Sequence, residues 1–444
     1  MDETPSLNEA SLQDFLRRVP RYTSYPTAPF FTSILSDTYQ QILSCVNGPF
    51  SLYIHIPFCR KMCLFCACSV IINRKEETQN LYVDSLIQEI QQVGKALSGN
   101  KTVRELHFGG GTPTNLHPEQ FERIFSALEN EFTFTKDAEC SIEIDPRTVV
   151  EKTHLPYIRT RFQRVSLGVQ DTNASVQEAV RRRQTKEVTA KVVQEARNLQ
   201  FSGINIDLIY GLPLQTKKSF KKTVEEIIEM RPDRIALFSY AKVPFLKPHQ
   251  KAIRNQDLPK DQEKFQMYLQ ARKQFIQAGY IPIGMDHFAQ PKDPLVKAYQ
   301  KGLLYRNFQG YGIHQADHML GFGVSAIGFA LGTYIQNTKD LTSYHEAVKK
   351  GVFPVERGKK QTPDDRKRYQ VIQKIMCQFS YSFTQQEMEL FSAEIAALKK
   401  EKRLVVFSGN TLQVTPLGRV FIRNVASTFD AYLEENPSSY AGSV

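Results

Sequence analysis

Four of the seven cysteines of this chain stand within ten positions: Cys59, Cys63, Cys66 and Cys68, in the run FCRKMCLFCAC. Thiolate is the reactive and metal-binding form of cysteine, so this density points to metal chemistry. The first three also stand at spacings that would share one helix face, where they could be core filler. Pro57 disfavours a helix running on from the preceding β-rich segment, and Arg60 and Lys61 interrupt any apolar stripe. A structural zinc site takes four ligands, commonly as two CxxC-like pairs; here Cys68 lies only two positions beyond Cys66 and no second pair follows. Three thiolates suit an iron–sulfur cluster instead. A four-iron cluster held by three protein sulfurs keeps one iron open, and an open coordination position marks a catalytic metal site. Cys45, Cys140 and Cys377 are isolated and are expected to be small buried apolar side chains.

Further motifs set polar groups at the ends of β-rich runs. HFGGGTPT (His107–Thr114) reads as a turn whose glycines let backbone approach a ligand and present N–H groups to an anion. SIEIDPR ends on Glu143 and Asp145, carboxylates able to meet an ammonium or ribose hydroxyls. RVSLGVQD places Gln170 similarly, and NIDLIYGLPLQT sets Asp207 inside an apolar run. A mid-strand aspartate is costly unless paired, so a ligand or an arginine is expected nearby, Arg182 being the leading candidate.

Rigid elements must hold these groups. Six β-rich runs begin at Ser51, Val103, Cys140, Arg164, Ile204 and Arg234. Helical stripes alternate with them, one through Leu81, Val83, Leu86, Ile87, Ile90 and Val93, another through Val188, Val192, Val193 and Ala196. This rhythm predicts an α/β fold of βαβ units around a parallel sheet, curled into an incomplete barrel or left open. In both forms chemistry sits on the loops after the C-terminal strand ends. Beyond Ala241 the rhythm fades into a helix near Lys260–Ala278, a strand-like IPIGM and a glycine-rich stretch, Gly302–Gly332. KKGVFPVERGKK (Lys349–Lys360) reads as a linker. Thr362-Pro363-Asp364-Asp365 is a helix start: a cap, a first-turn proline, and acids at the positive end of the dipole. Two helices, a hairpin (LVVF-SGN-TLQVT) and a helix from about Pro416 complete a small winged domain. The expected division is an N-terminal extension at 1–50, a central unit at 51–350 and a helical, winged-helix-like C-terminal domain at 351–444.

Lys and Arg number 57 against 46 Asp and Glu, a formal charge of +11. A basic balance favours polyanionic partners or a small molecule carrying several carboxylates. Ten basic and three acidic residues fall between Arg181 and Lys222, mostly on expected helices. Solvated helix faces explain them, so nucleic acid is an unlikely partner. No apolar run approaches the roughly 20 residues of a membrane helix, and no secretory leader is visible, so the expected location is the cytoplasm. The odd cysteine count argues against a disulfide framework.

CxxxCxxC after the first strand of a βα array resembles the radical S-adenosylmethionine superfamily. RYTSYPTA (Arg21–Ala28), LYIHIPFCRKMCLFCAC (Leu52–Cys68), FGGGTPT, SIEIDPR, RVSLGVQD, NIDLIYGLPLQT, GMDHFAQPKD (Gly284–Asp293) and RNFQGY (Arg306–Tyr311) together resemble its oxygen-independent coproporphyrinogen III oxidase family across nearly the whole chain. The resemblance implies an incomplete (β/α)6 TIM-like barrel. It implies a 4Fe-4S cluster on Cys59, Cys63 and Cys66, and two molecules of S-adenosyl-L-methionine. Of these, the cluster-bound one would touch Tyr53, Gly110, Glu143, Ala241 and Ile327; the second would touch Phe65, Gly111, Thr112, Gln170, Arg182 and Asp207. It sets Cys68 and Gln309 at the active site and Arg21 and Tyr22 where a propionate could be gripped. The implied substrate is coproporphyrinogen III, with an unidentified electron donor and acceptor, in a monomer. The chain departs from the family's pattern at Ala67, where glycine is usual, at Gly312-Ile313, where two threonines are common, and at Met319, where an acid is common. A haem chaperone or another haem-modifying radical protein on the same scaffold is the competing reading. Such chaperones usually lack RYTSYPTA and the fourth cysteine and carry a Trp-containing motif, whereas this chain has no tryptophan.

Overall fold

The computed structural model describes every residue except 1–6, 8, 153, 314–315, 436–439, 441 and 443–444. Six parallel strands form its centre in chain order: β1 (Phe50–Ile56), β2 (Thr102–Gly110), β3 (Thr133–Ile144), β4 (Arg164–Gln170), β5 (Gly203–Tyr210) and β6 (Arg234–Ser239). These are the six expected runs, although β3 starts seven residues before Cys140, through the polar TFTKDAE. A seventh parallel strand, His318–Phe322, adds beside β1 in register Leu320 to Leu52. From it an antiparallel meander runs through Ile327–Ala330, Thr333–Asn337 and Val355–Lys360 to Thr32–Ser33. At the other side His287–Ala289 and Ile281–Ile283 pair antiparallel beyond β6. The two outer strands, Thr32–Ser33 and Ile281–Ile283, do not pair with each other, so the sheet stays open, as an incomplete barrel must.

Period-two alternation sorts the side chains of the central strands. In β5, Ile204, Ile206 and Leu208 are buried, whereas Asn205, Asp207 and Ile209 take the opposite face. Helix Glu76–Ala96 packs through Tyr82, Val83, Leu86, Ile90 and Val93; Leu81, expected on that stripe, is exposed because the buried arc falls on Tyr82 instead. Helix Lys186–Asn198 buries Val192, Val193 and Ala196.

The expected linker is corrected in part. Val355–Lys360 is a strand of the main sheet, its Arg357 donating to the carbonyls of Ala28 and Phe31. Near a sheet edge, charged residues are tolerated and also discourage further pairing, which is why the segment looks like linker by composition. The helix start at Thr362 is as read: the Thr362 hydroxyl accepts from the Asp365 N–H at 3.0 Å and the Asp365 carboxylate accepts from the Thr362 N–H at 2.8 Å. Beyond it come helices Pro363–Gln378, Gln385–Leu390 and Ser392–Lys400, then a three-stranded sheet of Ser380–Ser382, Thr411–Val414 and Val405–Ser408. Among the described residues no helix is long and apolar enough to cross a membrane.

Candidate active site

The cysteine run is a loop, with no helix between Pro57 and Ile72. Its base is closed by parallel pairing of Phe58–Cys59 with Ile71–Ile72, so the cysteines do not share a helix face. Three side chains from a segment some 180 positions downstream hold the loop's carbonyls. Lys247 Nζ donates to Cys68 O at 2.7 Å, His249 Nε2 meets Cys66 O at 2.8 Å, and Gln250 Nε2 donates to Phe65 O at 2.9 Å. Cys59 Sγ lies 3.3 Å from Thr112 Oγ1, and Arg182 Nη1 lies 3.8 Å from Cys63 Sγ. A hydrogen bond from the Cys68 thiol holds the Cys66 thiol down at about 7, whereas burial pushes Cys59 up to about 12. Cys140 and Cys377 are buried as expected, but Cys45, at the exposed end of helix Ser36–Cys45, is not.

The loop opens on a cavity of about 1190 Å³ at the C-terminal ends of β1 to β6. Cys59, Cys63, Cys66 and Cys68 line it, with Phe65, Gly110, Gly111, Thr112, Glu143, Gln170, Arg182, Asp207 and Ala241. The glycine turn earns its composition here. Gly110 has φ +118°, and a side chain at Gly111 would place its Cβ 2.5 Å from the Pro57 carbonyl oxygen. Backbone bonds Gly111 N to Ile56 O and Thr112 N to Phe58 O then stitch this turn to the strand that carries the cysteines.

Arg182 was expected to pair with Asp207 and does not. It reaches Asp145 (Nη1 to Oδ2, 3.2 Å) and Gly168 O (2.5 Å). Arg147 grips the same carboxylate through Nε at 2.9 Å. Burial raises the Asp145 carboxyl, but the two guanidiniums outweigh it and leave the group at about 2. Asp207 is served by neutral donors on neighbouring inner-face positions, Asn205 Nδ2 at 2.7 Å and Ser166 Oγ at 3.2 Å. Burial, with the Glu143 charge added, lifts it to about 7. Gln170 has a left-handed backbone (φ +72°) at the end of β4, and its buried Oε1 has no hydrogen-bond partner. Gln170 thus brings both a strained backbone and an unanswered acceptor to the cavity wall.

Other expected site residues lie outside this cavity lining. Tyr53 sits on β1 behind the glycine turn, stacked on His107 and bonded to His55 Nδ1 at 2.9 Å. Ile327 is paired with Gln336 in the meander. Gln309 is in the turn of the hairpin Tyr305–Asn307/Gly310–Gly312, where Nε2 meets Met319 Sδ at 3.7 Å. That thioether receives Asn307 Nδ2 as well, at 3.9 Å. Gly312 is required by its cross-strand partner: a Cβ there would lie 2.4 Å from the Tyr305 ring. His314 and Gln315 of the same loop fall outside the described residues. Tyr22 is buried and donates to Asp430 at 3.0 Å, facing the C-terminal helices. Arg21 pairs with Asp286 beside a second, smaller cavity.

The sequence profile of the Radical SAM superfamily matches residues 53–227, which run from β1 into the helix after β5. The oxygen-independent coproporphyrinogen III oxidase of Salmonella typhimurium is 41% identical over 438 residues, covering 96% of this chain and 95% of the relative. The chain belongs to this family. Its counterpart from Pseudomonas aeruginosa is 40% identical over 440 residues, covering 95% of each. A solved structure, coproporphyrinogen III oxidase from Escherichia coli, described as a radical SAM enzyme, superposes with TM-score 0.89 over 97% of this chain and all of the other, at 38% identity.

A radical SAM family implies a 4Fe-4S cluster and S-adenosylmethionine, and the residues present fit both. Among the described residues no three His, Cys, Asp or Glu side chains converge on a single metal ion. A lone zinc ion would need sulfurs drawn in to about 2.3 Å around one centre, whereas these three thiols line a cavity of about 1190 Å³ and suit a bulkier group. The unpartnered Gln170 acceptor gives the wall of this cavity a polar group that a nucleoside could meet. Sequence reasoning missed Lys247, His249 and Gln250, which sit in a loop without periodicity, and Arg147, which directly follows the SIEIDP run. Asp286, inside the run GMDHFAQPKD, was not singled out either; what gathers around it is visible only in the fold.

Proposed function

We propose that the chain carries out the oxidative decarboxylation of coproporphyrinogen III to protoporphyrinogen IX without oxygen, in haem biosynthesis. One observation carries this: a loop of three thiols opens on a 1190 Å³ cavity in a chain aligned over 96% of its length with an enzyme of that name. Two propionate side chains become vinyls. Each gives up one hydrogen from the carbon β to the carboxylate, one carbon dioxide and one electron, the last to an acceptor outside the chain.

When bound, the cluster and adenosylmethionine supply a 5′-deoxyadenosyl radical, strong enough to break a C–H bond that no side-chain base can reach. The chain's own residues bind, orient and exclude water. Cys59, Cys63 and Cys66 hold the cluster, and the Lys247–Gln250 clasp fixes their loop. Tyr53, Gly110, Glu143, Ala241 and Ile327 serve one adenosylmethionine. A second is served by Phe65, Gly111, Thr112, Gln170, Arg182 and Asp207, where Gln170 Oε1 offers an acceptor and Asp207 a carboxylate whose charge an ammonium would stabilise. Cys68, Gln309, Arg21 and Tyr22 act on the substrate side. The segments 1–50 and 351–444 each lend a strand to the main sheet, Thr32–Ser33 and Val355–Lys360, and their remaining parts flank the unit at 51–350. An oxygen-labile centre and unpaired thiols suit a cytoplasmic monomer supplied by a separate electron donor.

The test is anaerobic incubation of cluster-loaded protein with dithionite, adenosylmethionine and coproporphyrinogen III. The expected products are 5′-deoxyadenosine and a divinyl porphyrinogen. Loss of both, with iron and sulfide content intact, overturns the reading.

A further inference from the structure

Behind the wall formed by Phe238 and Ser239 lies a second cavity of about 30 Å³, lined by Arg21, Tyr210, Ser239, Asp286, Ile422 and Arg423 among others. Ser239 lines the large cavity as well, and the Arg21 guanidinium lies 5.1 Å from the centre of the Phe238 ring, which also lines it. Three guanidiniums meet here. Arg21 pairs with Asp286, and Arg306 Nη2 stands 3.7 Å from the same carboxylate. Arg423, from helix Ile422–Ser427, is buried; its Nη1 donates to Val19 O at 3.0 Å and its Nη2 to Gly442 O. Among the described residues no carboxylate comes within ion-pair distance of Arg423. His287 takes the other oxygen of Asp286 at 2.6 Å. Three cations against one carboxylate leave a formal excess of two positive charges in a buried place.

Buried charge of one sign is expensive unless a counter-charge arrives. Arg306 Nη1 is buried without a hydrogen-bond partner, a further sign that donors outnumber acceptors. Burial, with the charges of Arg21 and Arg306 added, pushes Arg423 down to about 10. Arg21 itself is about one-third exposed, so the cluster is reachable.

We infer that Arg423, with Arg306 and Asp286 behind it, joins Arg21, already expected to grip a propionate, in a carboxylate-binding site that takes an acidic side chain of the substrate. The C-terminal segment is thereby part of the substrate site and not only a cover. This rests on the function proposed above, because it needs a ligand with several carboxylates in the large cavity. Guanidinium suits the task, since its planar fork meets both carboxylate oxygens.

The experiment titrates cluster-loaded protein, without reductant, with coproporphyrin III and with its neutral tetraamide, following porphyrin absorbance. The unaltered protein should bind the tetra-acid at least tenfold more tightly than the tetraamide. Arg21→Gln and Arg423→Met should each weaken tetra-acid binding by about tenfold or more, the loss of a hydrogen bond to a charged group. Both should leave the tetraamide affinity within about twofold and iron content unchanged. Arg423→Lys, which keeps the charge, should recover part of the loss. Should Arg423→Met fail to fold, Arg423→Lys, which loses the guanidinium fork, carries the test beside Arg21→Gln. Equal weakening of both ligands, or none of either, overturns the carboxylate site while leaving the function intact. If the unaltered loaded protein binds neither porphyrin, the function reading itself falls.

Discussion

Cys59 and Cys45 are both thiols, but only Cys59 lies on the cavity. Cys59→Ala is therefore expected to abolish the brown iron–sulfur absorbance after anaerobic reconstitution, and Cys45→Ala to leave it intact; iron and sulfide per chain is the measurement. Glu89 makes a second prediction. Its buried carboxylate accepts from Asn337 Nδ2, Tyr344 Oη and Gly323 N at 2.6–2.7 Å, yet burial still raises it to about 7 from an ordinary 4.5. The folded chain then holds a proton that the unfolded chain has lost between those values, so Glu89 weakens the fold progressively as pH climbs from 4.5 towards 7. Glu89→Gln removes that titration. The melting temperature of the unaltered protein minus that of the variant should fall across this window and level off above it. At this scale the cysteines, the glycine turn, Glu143, Gln170 and Asp207 were readable because each breaks a local rule: dense thiols, a glycine triplet, polar groups in apolar strands. The partner of Asp207 was not readable. Which of several nearby donors meets a carboxylate depends on side-chain reach across β4 and β5, and that is not periodic.

Elements were the more legible level where their periodicity was strong. The six parallel strands and the capped helix from Pro363 announce themselves by alternation and by the Thr-Pro-Asp-Asp start. Thr362→Ala removes the hydroxyl that meets the Asp365 N–H and is expected to reduce stability by about 1 kcal/mol; the midpoint of a urea denaturation curve measures it. Val355–Lys360 was opaque for a physical reason. A strand near the margin of a sheet has little apolar surface to bury, so VERGKK carries no period-two signal, and its pairing is settled by partners twenty positions upstream and three hundred upstream. His318–Phe322 hid for the opposite reason, since a short run beside a glycine-rich stretch looks like loop until β1 offers it an edge.

At the scale of the whole molecule the two ends of the chain are packed together. Phe15 stacks on Phe421 with ring centres 4.9 Å apart, Asn424 Nδ2 donates to Phe15 O, and Tyr22 and Thr27 reach Asp430 and Tyr440. Phe15→Ala should lose about 3–5 kcal/mol of stability, seen as a lower denaturation midpoint, while iron uptake on reconstitution stays unchanged. The hold of Lys247, His249 and Gln250 on the carbonyls of Phe65, Cys66 and Cys68 has a consequence for synthesis. A growing chain displays all four cysteines of the run long before the residues that shape their loop leave the ribosome. Iron delivery then has to wait for the second half of translation, or to meet a pliant loop that other metals could occupy first.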